Sequence, residues 1–211
     1  TRPDGEKKAE GRVPDPHGVA TFAAPFPSPV DRHLSSVPGG RAISLEHSPP
    51  AASQRALHAI ALVVATGAGS GYSPVASGTA GAAVGVLLFW PLAALSVPVY
   101  AVTVVGSIGL AIWAAERMCR AWGTEDDGRI VADEIAGQLV TLLPLVAAGL
   151  SGSIGWVVTG FVLFRCLDVW KPGPVRWLDQ NVHGGAGVVL DDVLAGVFGA
   201  VVMAVLVWAI G

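Results

Sequence analysis

Two pairs of adjacent acids begin apolar stretches of the chain, where ionised groups are costly. Asp133 and Glu134 open a stretch that ends at Ala148, and Asp191 and Asp192 open the last one. Carboxylates at the mouth of an apolar helix need cationic partners once they lose water. Mg²⁺ is suitable, because hard cations prefer carboxylate oxygens and Mg²⁺ often bridges them to a phosphate. The alternative is that these acids only cap helix N-termini, where the helix dipole favours negative charge.

A basic and acidic group occurs near the end of another apolar stretch. Arg165, Asp168 and Lys171 follow a spacing of i, i+3 and i+6, which places them along one face of a helix that Pro172 stops. Cations there can neutralise a bound phosphate. The alternative is a basic collar whose long side chains reach the lipid interface beside neighbouring tryptophans.

Two further candidates lie in loops. His183 stands before three glycines in four positions and could donate a proton to a leaving group. A lone histidine is more often structural, but this one does not lie on an apolar face. Asp126 precedes Gly128 in another acidic segment and could add a metal ligand.

A glycine-rich segment, "TGAGSGYSPVASGTAG" at residues 66–81, holds five glycines and no acid or base. Glycines let backbone N–H groups approach an anion, and the N-terminus of a following helix adds positive potential. Ser70, Ser73 and Thr79 add neutral donors. It is not a P-loop, because the lysine of that motif is missing. The alternative, tight turns and close helix packing, explains Gly81 and Gly85 well.

Charges are too unevenly distributed for a water-soluble fold. The sixty residues 56–115 contain no Asp, Glu, Lys or Arg, and residues 135–164 and 193–211 are also free of charge. Such runs have no solvated helix face. We therefore predict an all-α, polytopic membrane bundle of about four to five spans with a short interfacial helix at residues 56–65. The predicted spans are 81–95, 99–115, 130–148, 154–170 and 193–210.

Following these spans places the polar groups together. If the glycine-rich loop is on one side, two helical hairpins return residues 116–133 and 165–192 to that same side. All six Lys and Arg residues beyond residue 55 then share it, so the positive-inside rule predicts that it is cytoplasmic. This layout favours an enzyme that acts at the cytosolic leaflet.

The remaining segments carry less chemistry. Residues 1–50 hold nine of the fifteen prolines and are predicted to form a disordered or loosely ordered cytosolic tail without a signal peptide. Residues 51–211 form the predicted membrane domain. The net charge of −3 does not suggest nucleic-acid binding. Cys119 and Cys166 form no ligand pattern and are expected to be reduced.

Four motifs together resemble one family. The segments "ATGAGSGYSPVASGTAG", "DDGRIVADEIAGQ", "FRCLDVWKPGPVRWLD" and "VHGGAGVVLDDVLAG" resemble those of phosphatidylglycerophosphatase A, in the same order, over residues 56–211. The resemblance implies a Mg²⁺-dependent, all-α enzyme of the bacterial inner membrane. Such an enzyme removes the terminal phosphate of phosphatidylglycerophosphate and leaves phosphatidylglycerol. It implies nothing for residues 1–50.

The resemblance also implies roles for individual residues. The implied acidic, metal-binding set is Asp126, Asp133, Glu134, Asp168, Asp191 and Asp192. Its polar partners in catalysis are Arg165, Lys171 and His183. The implied loop residues are Gly67, Ser70, Gly71, Pro74, Gly78, Thr79 and Gly81, to which Ser73 is added as a phosphate donor. Ser77 departs from the family pattern, where a proline is expected.

Other functions remain open at this stage. The acids could instead form the cation site of a membrane transporter, although transporter sites lie near the bilayer midplane and these acids lie at span ends. A non-catalytic scaffold would not need paired acids at two span mouths. The sequence contains no C-x5-R thiolate site, and it does not decide between water and a carboxylate as nucleophile. The oligomeric state is open.

Overall fold

All regular secondary structure in the described part of the chain is helical. A computed structural model describes residues 52–210, and within that range it contains seven α-helices and no strand. The helices are α1 (Ala52–Ala65), α2 (Ser77–Leu92), α3 (Val97–Trp122), α4 (Ala132–Ala147), α5 (Ile154–Trp170), α6 (Gly173–Asn181) and α7 (Gly184–Ile210). A 3-10 turn at Ser70–Tyr72 interrupts the loop between α1 and α2. The predicted all-α class is confirmed, and the predicted tail at 1–50 lies outside the described residues.

Proline and glycine set several helix ends. Pro98 lies in the first turn of α3, where its missing N–H and fixed φ are tolerated. Gly123 ends α3 with a φ of 69°, and Lys171 ends α5 with a φ of 45°, directly before Pro172. Pro172 follows the end of α5, as the sequence predicts, and Pro98 lies at the start of the helix after the break between the predicted spans 81–95 and 99–115.

Several helix boundaries differ from those predicted. Helix α2 begins at Ser77 rather than residue 81, and α7 begins at Gly184 rather than residue 193. Asp191 and Asp192 therefore lie about two turns inside α7 instead of at its start. The short helix α6 was not predicted. The glycines of α7 indicate a loop by propensity, but close packing against other helices overrides that preference.

Helix α4 is central and packs against α2, α3, α5 and α7. Its crossing with α7 is close because small residues meet there. A methyl group on Gly196 would lie 2.5 Å from the Gly137 carbonyl oxygen, and one on Gly137 would lie 2.6 Å from the Asp192 carbonyl oxygen. Only glycine permits such an approach of two backbones. This contact brings the start of α4, with Asp133, beside Asp192.

Two helices, α3 and α7, are long and apolar enough to cross a membrane. Only 22% of the most apolar window of each is buried, whereas the core helix of a soluble protein would be mostly covered. Large apolar side chains such as Val102, Val205 and Trp208 are exposed instead. This exposed apolar surface supports membrane association. The predicted number of four to five spans remains a prediction.

Candidate active site

A polar cavity of about 470 Å³ lies where α4, α5, α6 and α7 meet the loop that precedes α4. Eight carboxylates, one lysine and one histidine line it. They are Glu125, Asp126, Asp133, Glu134, Asp168, Lys171, Asp179, His183, Asp191 and Asp192. The cavity therefore gathers every acidic residue that the sequence singles out, together with Lys171 and His183.

Three of these carboxylates form a compact cluster. One oxygen from each of Asp133, Glu134 and Asp192 lies within 4.8 Å of the others. Asp133 and Asp192 are only 8% and 4% exposed. Asp133 Oδ1 and Glu134 Oε2 are buried and have no hydrogen-bond partner. Buried carboxylates so close together repel each other unless a cation neutralises them.

The cluster and its neighbours fit a hard divalent cation. Asp168 and Asp191 are buried beside it, and Asp191 Oδ1 also lacks a hydrogen-bond partner. Asp126 is exposed at the rim of the cavity. All of these donors are carboxylate oxygens, the ligand type that Mg²⁺ prefers. A bound cation would satisfy buried carboxylate oxygens that have no hydrogen-bond partner.

Arg165 joins the acids from α5. Its Nη1 donates to Asp168 Oδ2 at 2.5 Å, one helical turn away, and its buried Nε has no partner. The guanidinium lies beside Gly78, at the first turn of α2. A methyl group there would lie 3.1 Å from both Arg165 Nη1 and Nη2 and would overlap Glu134 Oε1. Gly78 is thus the point at which the glycine-rich segment meets the ionised groups.

Lys171 links two helices at the cavity. Its Nζ lies 2.5 Å from Asp179 Oδ1 on α6 and 2.7 Å from Asp191 Oδ2 on α7. Partial burial disfavours its charged form, but the two carboxylates outweigh that effect, so the pKa of Lys171 lies above its ordinary value. Lys171 is therefore a fixed positive charge. Asp179 is not among the site residues predicted from the sequence.

His183 lies at the rim. Its Nδ1 is 3.8 Å from Glu125 Oε2, and both side chains are largely exposed. This is a loose contact at the exposed edge of the cavity, which His183 lines.

Three hydroxyl groups of the glycine-rich segment bond to nearby backbone atoms. Thr66 Oγ1 donates to the Leu62 carbonyl and accepts from the Gly69 N–H. The Ser70 hydroxyl points to the Thr66 carbonyl at 3.4 Å, and the Ser73 hydroxyl donates to the Val75 carbonyl at 2.9 Å. These bonds give the loop a defined shape.

Several loop glycines lie against the segment before α4. A methyl group on Gly71 would overlap the Arg129 carbonyl, and one on Gly81 would lie 2.7 Å from Val131 Cβ. Gly67 has a φ of +53°. Within the part of the loop that the structure describes, Ser77 lines the acidic cavity and Thr79 lines a neighbouring cleft with Arg165. Phosphate binding by Gly67, Ser70, Gly71, Ser73, Gly78 and Thr79 remains a prediction.

Two adjacent acids have different surroundings. Asp126 lines the cavity, whereas Asp127 accepts hydrogen bonds from the Arg129 side chain at 2.7 and 2.8 Å and from its backbone N–H. The guanidinium of Arg129 also stacks 4.0 Å above the Trp122 ring. The hydrogen bonds from Arg129 lower the pKa of Asp127. Asp127 therefore stabilises the loop before α4.

One supporting contact joins residues that are distant in sequence. Glu116 Oε2 on α3 accepts a hydrogen bond from the Gly185 N–H at 2.7 Å, in the first turn of α7. Glu116 also pairs with Arg120 at i+4, and this spacing in the sequence predicts only an ion pair on the helix surface. No spacing in the sequence predicts a contact across 69 residues. Gln138, fully buried on α4 with an unpaired amide, was also missed.

A family model and two relatives of the chain carry the same name. The family model for phosphatidylglycerophosphatase A matches residues 63–207. The phosphatidylglycerophosphatase A of Escherichia coli K12 is 38% identical over 138 residues, which are 65% of this chain and 78% of that protein. The Haemophilus influenzae protein of the same name is 34% identical over 145 residues, or 67% and 85%.

A third relative carries a different name. A Bacteroides thetaiotaomicron protein, provisionally named a phosphatidylinositol-3-phosphatase, is 40% identical over 157 residues, which are 71% of this chain and 95% of that protein. No solved structure matches the chain.

Proposed function

The chain belongs to the phosphatidylglycerophosphatase A family, and we propose that it hydrolyses phosphatidylglycerophosphate to phosphatidylglycerol and inorganic phosphate. The observation that carries the proposal is the convergence of Asp133, Glu134 and Asp192 beside Arg165 and Lys171. A phosphate monoester dianion needs neutralisation of charge more than covalent chemistry, because charge spreads over its oxygens in the transition state.

We propose that the acids hold Mg²⁺. Asp133, Glu134 and Asp192 would be the nearest ligands, with Asp126, Asp168 and Asp191 available around them. A bound Mg²⁺ supplies positive charge to phosphate oxygens at the place where charge develops. The support is the set of buried, unpaired carboxylate oxygens described above.

The chain's own residues then bind the phosphate and move protons. Arg165 has an unpaired Nε and a guanidinium held by Asp168, so it can donate to phosphate oxygens in a fixed direction. A carboxylate of the cluster accepts a proton from the water that attacks phosphorus in line. The bond between phosphorus and the glycerol oxygen breaks, and the leaving alkoxide takes a proton from His183 or from one of the acids. In the alternative first step, an aspartate carboxylate attacks phosphorus in place of water.

The substrate and the membrane face are also part of the proposal. Two relatives are named for phosphatidylglycerophosphate, and one is named for a phosphoinositide. Both lipids carry a phosphate monoester on the headgroup, so the inositol lipid is the second candidate substrate. The six basic residues beyond residue 55 favour placing the cavity on the cytoplasmic face of the bacterial inner membrane.

Phosphate release from the purified full chain tests the function. We expect release from phosphatidylglycerophosphate, strong loss with a chelator, recovery with Mg²⁺, and much slower release from phosphatidylinositol 3-phosphate. Asp133→Asn should reduce turnover by about 100-fold or more while circular dichroism stays unchanged. Full activity of that variant, or full activity after thorough metal removal, would overturn the metal assignment. Cation transport without any phosphate release would favour a transporter.

A further inference from the structure

An apolar groove of about 300 Å³ runs between α2 and α5. Every residue that lines it is apolar, and its walls include Leu87 and Trp90 from α2 and Ile154 and Val158 from α5. These four side chains are between 44% and 70% exposed, so the groove opens at the surface of the bundle. A surface groove without polar groups suits a hydrocarbon ligand.

The groove leads to the acidic cavity through Arg165. Phe161 lines the groove and also lines a second cleft, whose other walls include Thr79 and Arg165. Arg165 in turn pairs with Asp168, which lines the acidic cavity. A lipid can therefore lie with its anionic headgroup in the acidic cavity, beside Arg165, and its apolar part along α5.

The direction and length of the groove suit an acyl chain. Thr79 faces Arg165 at one end, and Trp90 faces Ile154 at the other, so α2 and α5 run antiparallel along it. Arg165 and Ile154 are eleven residues apart, which corresponds to about 16 Å along a helix. That distance accommodates most of an extended long acyl chain.

We propose that this groove binds an acyl chain of the phospholipid whose phosphate occupies the acidic cavity. The proposal rests on the proposed function and adds where the lipid tail lies. The adjoining cleft that contains Arg165 distinguishes this groove from another apolar cavity, of about 350 Å³, which includes Leu88 and Leu110. None of the described residues that line that other cavity is charged.

The test compares two substrates that share a headgroup and carry long or short acyl chains. Val158→Trp and Leu87→Trp fill the groove from opposite walls, and Leu110→Trp makes a matched change in the other cavity. Each full-length variant is assayed in nonionic detergent micelles with dioleoyl and with dihexanoyl phosphatidylglycerophosphate. Val158 is seven residues from Arg165, about 10 Å along the helix, so a hexanoyl chain ends before it.

We expect both groove variants to raise the KM for the dioleoyl substrate by about tenfold or more, the loss of about two buried methylenes. Their kcat and their hydrolysis of the dihexanoyl substrate should stay within about twofold of wild type, which also shows that they fold. Leu110→Trp should change neither substrate. An unchanged dioleoyl KM in both groove variants would overturn the proposal and leave the groove to bulk lipid. An equal effect of Leu110→Trp would also contradict it.

A second measurement uses the unsubstituted protein, in case a groove variant does not fold. Dioleoyl phosphatidylglycerophosphate with a photoreactive group at one chain end is mixed on ice with the protein in the presence of Mg²⁺ and crosslinked before turnover, and the modified peptides are mapped. We expect modification of α2 or α5 that excess unlabelled substrate removes and excess dioleoyl phosphatidylcholine does not. Crosslinks elsewhere, or crosslinks removed equally by both lipids, would overturn the proposal. If wild type releases no phosphate from either substrate, the proposed function fails instead.

Discussion

Gly78 and Glu134 lie in direct contact, so the first turn of α2 sits against a carboxylate of the acidic cluster. A methyl group on Gly78 would overlap Glu134 Oε1 and crowd both terminal nitrogens of Arg165. Because Gly78 has no side chain, Glu134 on α4 and Arg165 on α5 have room to meet beside α2. This contact gives the glycine-rich segment a role in positioning the ionised groups.

Gly78→Ala should therefore damage the site more than the fold. We expect kcat to fall by about tenfold or more, because Glu134 and Arg165 must shift. Gly106→Ala on α3 is the matched control, since a methyl group there meets nothing within 4 Å. It should keep full activity and raise stability by about 0.5–1 kcal/mol. Equal activities of the two variants in phosphate-release assays would contradict the role of Gly78.

The buried acids should cost stability when no cation is bound. In chelator, Asp192→Asn should melt at a higher temperature than wild type, because it removes one charge from the cluster with Asp133 and Glu134. Added Mg²⁺ should stabilise wild type by about 2–3 kcal/mol at a concentration near 100 times its dissociation constant. It should stabilise the variant far less. Thermal unfolding in detergent measures both effects, and equal stabilisation by Mg²⁺ would remove Asp192 from the proposed ligands.

Patterns within short segments predicted much of this architecture. Charge-free runs predicted the helical class, and Pro172 predicted the end of α5, because these signals are local. The acids could be assigned to one place because successive hairpins return the chain to the same end. The structure does bring Asp133 and Asp192 together, through the Gly137–Gly196 crossing.

Contacts between distant residues could not be predicted in the same way. The start of α7 depends on Glu116 and the Gly185 N–H, and the loop glycine Gly71 packs against the Arg129 carbonyl. Propensity treats such glycines as loop residues whatever their partners are. Asp179 was overlooked because its cation, Lys171, lies on a different element and eight residues earlier.

The Glu116 contact should contribute to the stability of α7. Glu116→Ala leaves the buried Gly185 N–H without its acceptor, and we expect a loss of about 1–2 kcal/mol in the free energy of unfolding. Arg120→Ala removes only the exposed ion pair with Glu116 and should cost less than about 0.5 kcal/mol. Thermal unfolding of both variants in detergent compares them. A loss of the same size in both would mean that the hydrogen bond to Gly185 contributes nothing.

Lys171 should matter through Asp191 rather than through Asp179. The Asp191 carboxylate is buried, and Lys171 is its ion-pair partner, whereas the Asp179 side chain is 41% exposed. Lys171→Met removes a positive charge from the cavity and leaves Asp191 unpaired. It should lower kcat/KM by about 100-fold. Asp179→Asn leaves the Lys171–Asp191 pair in place and should lower it by less than about threefold.

A third variant separates charge from geometry at the same position. Lys171→Arg keeps the positive charge but replaces a compact ammonium with a planar fork, so we expect activity between those of wild type and Lys171→Met. Phosphate release over a range of substrate concentrations gives kcat and KM for each variant. If Asp179→Asn is as inactive as Lys171→Met, the activity depends on the ion pair that joins Lys171 to Asp179 on α6. The loss of activity in Lys171→Met would then not come from the missing charge at the phosphate.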